Sequence, residues 1–313
     1  GAGGALGAAW MVGALSVIEE QERIDCRRFD VMVGTSAGSV VTALLALGAG
    51  VAELADELDR DAETDLSGTG PVNAFDVHTS LARIPRPVLL PANLPLALRS
   101  AMGAGPRRLM TVAAGLAPRG RGDLAPLADL IAARNTDLAW PDRPMLRVVA
   151  MDYESGRRVV FGDPDAAAAS VATAVTASCA APGFFPPVVV AGHRYVDGGA
   201  VSMTNLDVLD DVADLDEVLV LAPMAGFARR ANSTPAERID RLLRARVTRR
   251  LQDEVRGICA RGVRVRVLAP TQQDLQVMRY NVMNPARRRA VLASARQTTD
   301  VPTAVDEVTT AAR

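Results

Sequence analysis

Ser36 lies in Val33-Gly34-Thr35-Ser36-Ala37-Gly38, with an apolar, strand-like run before it and an Ala/Val/Leu-rich helical run after it. That context makes the G-x-S-x-G match a candidate nucleophile elbow flanked by Gly34 and Gly38. A strand must reverse sharply into a helix there, and a side chain on either flank would meet neighbouring backbone. The same residue types also fill ordinary strand-to-helix turns, so the pattern needs company. The chain opens on Gly1-Ala2-Gly3-Gly4-Ala5-Leu6-Gly7 and runs straight into apolar residues at helical spacing. A glycine loop at a helix start presents unpaired backbone N–H groups, which suit an anion: a nucleotide phosphate, or the oxyanion formed when a hydroxyl attacks an ester carbonyl. A dinucleotide site wants a strand before the loop and an acidic residue about 20 positions on, at the tip of the next strand. Here the next apolar run leads to the serine instead. That favours the oxyanion, with Gly3 and Gly4 as donors, each such donor being worth about 10²–10³ in rate. The third piece is Asp197 in Tyr195-Val196-Asp197-Gly198-Gly199. Taken alone, a carboxylate before two glycines is a turn whose side chain caps local N–H groups.

In this order the three pieces resemble the patatin-like phospholipase family, which carries a glycine-rich oxyanion loop, a G-x-S-x-G serine and an Asp-Gly-Gly or Asp-Gly-Ala aspartate. The likeness extends through Thr176-Ala177-Ser178-Cys179-Ala180-Ala181-Pro182-Gly183-Phe184-Phe185-Pro186-Pro187 and through Asn205, covering residues 1 to about 210. The family loop is usually G-G-G-x-[RK]-G. The aligned stretch here is Ala2-Gly3-Gly4-Ala5-Leu6-Gly7, with alanine for the first glycine and leucine for the basic residue. Donation by Gly3 and Gly4 needs only their backbone. The resemblance implies a serine–aspartate dyad, Ser36 as nucleophile and Asp197 as the base that takes its proton directly. It also implies hydrolysis of acyl esters of lipids, of phospholipase A or lysophospholipase type, with a lipid or acyl ester as partner and neither metal nor organic cofactor. The fold it implies is α/β, a three-layer α/β/α arrangement with a central, mostly parallel sheet and a lid-like insertion, spanning residues 1–313 as one domain.

Histidine content points the same way, because a triad enzyme needs an imidazole beside its serine and the chain has only His78 and His193. His193 sits in what reads as a hairpin turn and His78 in a Pro-rich stretch. A His-dependent α/β-hydrolase esterase, a nucleotide-binding enzyme and a catalytically inactive lipid-binding protein are the rival readings. The 313 residues are 49% hydrophobic and 23% charged, enough for a substantial core, and the net charge of -1 gives no drive toward nucleic acid. Every basic residue is arginine. Cys26, Cys179 and Cys259 are scattered and odd in number, neither a disulfide framework nor a metal site, and a reducing cytoplasm is the default location. The composition says nothing of oligomeric state.

The elements that must position these groups follow an α/β rhythm. Arg28 to Val33 reads as a buried strand, Ala37 to Leu47 as a helix closed by Gly48, and Glu53 to Arg60 as a second helix. Since a glycine loop needs a strand behind it to hold it against a sheet, a short hydrophobic strand is expected before Gly1. From Ser67 to Asp123, prolines interrupt apolar and arginine-bearing runs, which fits a mobile cap over a lipid site or a solvent-covering insertion. Met145 to Met151 and Arg157 to Phe161 read as strands about a Glu154-Ser155-Gly156 turn, and Ala166 to Ser178 as a helix. Val188 to Ala191 and Arg194 to Val196 read as a hairpin delivering Asp197. Val218 to Ala222 and Val263 to Ala269 bracket a long helix within a largely helical C-terminal part, 234–313. Thr234, Pro235 and Glu237 would start that helix with a capping box. Its stripe of Ile239, Leu242, Leu243, Val247, Leu251, Val255 and Ile258 either packs on its own domain or, with the neighbouring arginines, makes a peripheral contact with a membrane.

Overall fold

The computed structural model describes residues 1–60, 88–102, 108–136, 139–226 and 235–301. In chain order α1 (Gly4–Glu22) leads to β1 (Val31–Thr35), α2 (Ala37–Ala46) and α3 (Val51–Asp59). Next come β2 (Val88–Pro91), α4 (Leu94–Ala101), α5 (Arg108–Leu116) and β3 (Pro118–Arg119), and then α6 (Ala125–Arg134), β4 (Met145–Asp152) and β5 (Arg158–Phe161). They are followed by α7 (Val171–Cys179), β6 (Val188–Val190), β7 (His193–Asp197), β8 (Glu217–Leu221), α8 (Pro235–Cys259), β9 (Arg264–Leu268), α9 (Gln272–Met278) and α10 (Arg288–Thr298).

Strand β4 is the hub of the central sheet. β1 pairs with it in parallel, Thr35 opposite Val149, while β5 and β7 pair antiparallel, with Asp197 opposite Ala150. Val148 and Val149 are shared by β1 and β5, and Ala150 and Met151 by β5 and β7. A strand has only two edges, so β1 and β7 must occupy the same one. They run toward each other along it, and their ends abut where Ser36 and Asp197 stand. The strands joined through helices, β1 with β4 and β8 with β9, are parallel. Those joined by short connections, β4 with β5 and β6 with β7, are antiparallel, so the arrangement is mixed. The β6–β7 turn uses Ala191 and Gly192 at φ 49 and 83, the left-handed pair that suits a two-residue hairpin.

Alternation along the strands builds the layers. Met32, Leu146, Val148 and Ala150 enter a core shared with α1, α2, α3 and α7, and Leu219 and Leu221 pack against it. Val218 and Val220, with Val31 and Val33 beside them, enter a second core roofed by the C-terminal half of α8. Met151, Tyr153 and Val196 meet Leu96 and Ala114 of the α4–α5 hairpin. α1 is apolar on nearly every face and is correspondingly buried.

Two elements differ from the sequence reading. α7 begins at Val171, because Ser170 is extended and its hydroxyl accepts from the Thr173 N–H, capping the helix there. On α8 only Leu251, Val255 and Ile258 of the apolar stripe are buried, whereas Ile239, Leu242 and Leu243 are 61%, 64% and 42% exposed. The capping box read at Thr234 and Glu237, and residues 67–87 of the Pro-rich 67–123 stretch, lie outside the described residues and side chains. Among the described residues no helix is long and apolar enough to cross a membrane.

Candidate active site

Ser36 occupies the first position after β1 with φ 53 and ψ -123. A side-chain-bearing residue rarely adopts such a backbone, at a cost of about 1–3 kcal/mol, and the surroundings must impose it. They do so through hydrogen bonds. The Ser36 N–H donates to Ser178 Oγ at 2.8 Å, and the Ser178 hydroxyl donates to the Val149 carbonyl at 2.6 Å. The Ser36 carbonyl accepts from the Ser39 N–H at 2.8 Å and from Ser39 Oγ at 2.6 Å. A Cβ on Gly34 would lie 2.3 Å from Thr42 Oγ1 and 2.4 Å from Ser39 Cα, and one on Gly38 would lie 2.7 Å from the Gly1 carbonyl. Neither flank has room for a side chain.

Asp197 is the last residue of β7 and only 8% exposed. Its Oδ1 accepts from the Gly199 N–H at 2.7 Å, and the Ser36 side chain lies near enough to the same carboxyl group to pull its pKa down. Burial pushes its pKa from the ordinary 3.8 up to about 6, against the downward pull of Ser36 and the Gly199 N–H. A Cβ on Gly198 would come within 2.5 Å of the Val149 carbonyl, so the chain turns off β7 directly against β4.

The glycine loop arrives at the same place. The Ala2 N–H donates to the Met203 carbonyl at 2.7 Å, and a Cβ on Gly199 would touch Ala2 at 3.5 Å. Gly3 precedes α1 and Gly4, at φ 59, is its first residue. Among the described residues no backbone carbonyl accepts the Gly3 or Gly4 N–H, as expected of the first donors of a helix. α1 is anchored behind the loop by Trp10, whose Nε1–H donates to Asp274 at 3.2 Å.

The loop after Asp197 is braced from below. Asn205, fully buried at φ 52, donates through Nδ2 to Thr35 Oγ1 at 3.1 Å and to the Ser202 carbonyl at 2.5 Å, tying the end of β1 to this loop. Glu254 of α8 is buried beneath and accepts from Ser202 Oγ at 2.7 Å, Thr204 Oγ1 at 2.6 Å and the Leu206 N–H at 3.0 Å, with Arg250 at 2.9 Å. The sequence reading assigned no role to Ser178 or Glu254. For Glu254 a signal existed: an acid three residues after Leu251 and four before Ile258 stands on the buried face of its helix.

His193 begins β7, four residues from Asp197 and so about 13 Å along the strand. Its side chain is 64% exposed, with Nδ1 3.8 Å from Asp152. His78 lies outside the described residues. No disulfide joins Cys26, Cys179 and Cys259, and burial pushes Cys26 up to about 12 and Cys179 further upward, so neither of these two forms a thiolate readily. Among the described residues no group of three His, Cys, Asp or Glu side chains is placed to hold a metal ion.

A sequence model of patatin-like phospholipases matches residues 1–210. Among solved structures the chain is similar to VipD from Legionella pneumophila, at 16% identity and a TM-score of 0.37, covering 94% of this chain and 66% of that one. The chain therefore spans 66% of the length of VipD. No curated protein matches it.

Proposed function

The chain belongs to the patatin-like phospholipase family, a family of lipid acyl hydrolases, and from that premise we propose that it cleaves acyl esters of phospholipids or lysophospholipids through an acyl-serine. The observation that carries this reading is the placement of Ser36 and a buried Asp197 together at the abutting ends of β1 and β7. In the first half-reaction Ser36 Oγ attacks the ester carbonyl carbon while its proton passes to Asp197. The oxyanion formed is held by the Gly3 and Gly4 N–H groups. Collapse returns the proton from Asp197 to the leaving alkoxide and leaves the acyl-serine. Water then gives a proton to Asp197 as its oxygen attacks the acyl carbon. The second collapse frees the fatty acid and restores the Ser36 hydroxyl.

Desolvation supports Asp197 as base, since a carboxylate near pKa 6 is a far better proton acceptor than one at 3.8 and is still ionised at neutral pH. The position of His193 removes support from a His-dependent esterase among the described residues. The α4–α5 hairpin, packed beside the Asp197 loop through Thr111 and Ala200, is the lid-like element, and its outer leucines offer an apolar approach for acyl chains. Hydrolysis of p-nitrophenyl esters of increasing chain length by the wild type and by Ser36→Ala tests the reading. Long-chain turnover should fall by about 10³-fold or more in the variant, and a fluorophosphonate probe should label only the wild type. Equal ester rates would refute serine catalysis. An unlabelled wild type that still binds lipid would favour the inactive lipid-binding alternative.

A further inference from the structure

The N–H groups of Gly3, Gly4, Ala5 and Leu6 precede the first internal bond of α1, which runs from the Gly7 N–H to the Gly3 carbonyl at 2.9 Å. A distant part of the chain takes one of these four. The Leu6 N–H donates to the Val282 carbonyl at 2.9 Å, in the connection between α9 and α10. Met283, the next residue, lies against Gly4, where a Cβ would be 2.5 Å from Met283 Sδ and 3.1 Å from the Val282 carbonyl oxygen. Gly3 is backed by Pro223, whose Cγ would stand 2.8 Å from a Cβ. The backbone that carries the two proposed oxyanion donors is thus packed by Pro223 and by 282–283, and the same connection occupies a neighbouring donor.

A buried carboxyl group holds that connection in place. Asp274 of α9 is 1% exposed and accepts from the Thr271 N–H and Thr271 Oγ1 at 2.8 Å each, from Ser294 Oγ at 2.6 Å and Thr298 Oγ1 at 2.9 Å on α10, and from Trp10 Nε1 on α1 at 3.2 Å. One side chain therefore joins three helices. α1 and α10 also meet at Gly13, where a Cβ would be 2.7 Å from Ala295 Cβ and 2.9 Å from the Leu292 carbonyl oxygen. With α9 and α10 both fixed to α1, the connection between them is held over the start of that helix. Residues 271–298 lie beyond the 1–210 that the family sequence model matches, so the family motifs do not account for this arrangement. Resting on the acyl-serine reading above, we propose that the α9–α10 connection is the positioning element of the oxyanion loop. Met283 and the Asp274–Trp10 pair act through Gly4 and α1 to keep the Gly3 and Gly4 N–H groups aimed at the oxyanion. Such donors must be fixed before reaction, since a misplacement of about 1 Å can cost about 10²-fold.

The test uses Met283→Ala, which empties the contact with Gly4, and Trp10→Phe, which cuts α1 from Asp274 and leaves its other donors in place. Met283→Leu is the conservative control. On a p-nitrophenyl ester, kcat should fall about tenfold or more in both variants while KM stays within about twofold. The inhibition constant of an alkyl trifluoromethyl ketone, whose serine adduct carries the oxyanion, should rise by the same factor. Amide exchange at Leu6 should quicken by about tenfold, and Met283→Leu should keep the wild-type constants. A lower Tm with unchanged kcat and inhibition constant would reduce the segment to a structural support and overturn the proposal, as would a loss carried by KM alone. Ser36→Ala, assayed alongside, separates this outcome from failure of the premise. If it is as active as the wild type, the acyl-serine reading falls; if it is inactive while Met283→Ala and Trp10→Phe are fully active, only the positioning role falls.

Discussion

Burial of Asp197 sets opposing demands on activity and stability. With its pKa raised to about 6, the carboxyl group holds a proton in the folded chain across a pH window where the unfolded chain, at about 3.8, has lost it. The stabilising contribution is thus complete below pH 4 and is lost as pH rises through 6, above which the buried charge costs roughly 3 kcal/mol. Asp197→Asn removes that cost while keeping an oxygen for the Gly199 N–H. The variant should match the wild type in thermal stability near pH 4, gain on it between pH 4 and 6, and stay several degrees above it at higher pH. Ester hydrolysis by the wild type should rise with pH through about 6 and be abolished in the variant. Differential scanning calorimetry across that range checks the first part, and a Tm difference independent of pH would remove the burial argument.

The elements deliver these residues through a support that does not touch substrate. Glu254 accepts four donors from α8 and from the loop after Asp197, and Ser202, one of them, also gives its carbonyl to Asn205. Glu254→Gln keeps the volume but turns an amide donor toward groups that are themselves donors. We expect a loss of about 2–4 kcal/mol in urea unfolding, with faster amide exchange in 202–206. An unchanged unfolding midpoint would show that the loop is held by its own contacts. Arg244 and Arg147 are likewise turned inward on backbone carbonyls and carboxylates, so part of the large arginine content frames the loops around the site.

For the chain as a whole, the net charge of -1 leaves little long-range attraction to an anionic membrane, so the proposed activity on lipid would rely on apolar contact. Leu94 and Leu98 of α4 and Met102 just after it recur every four residues and are 47%, 56% and 81% exposed, while Leu96 and Ala97 of the same helix are buried. Combining Leu94→Ser, Leu98→Ser and Met102→Ser should lower turnover of phospholipid vesicles by roughly tenfold or more and leave a soluble short-chain p-nitrophenyl ester unaffected. Added salt should change the vesicle rate little. An equal loss on both substrates would mean that the hairpin supports the site rather than meets the lipid.

Local sequence was enough for the local structures: glycines where a Cβ would strike backbone at 34 and 38, a helix closed at Gly48, a hairpin turn at Ala191-Gly192, and a carboxylate at the end of the strand that the hairpin delivers. These depend on sterics and on a period of two or four residues, which neighbouring side chains settle among themselves. Three things waited on tertiary structure. That β1 and β7 share one edge of β4, end to end, is set by which strands pair, and pairing across more than a hundred residues leaves no mark on either strand alone. The rise in the pKa of Asp197 comes from burial, to which α7 and the glycine loop, both distant from it in sequence, contribute. The exposure of Ile239, Leu242 and Leu243 depends on the second core reaching only the C-terminal half of α8, whereas the apolar stripe runs on regardless.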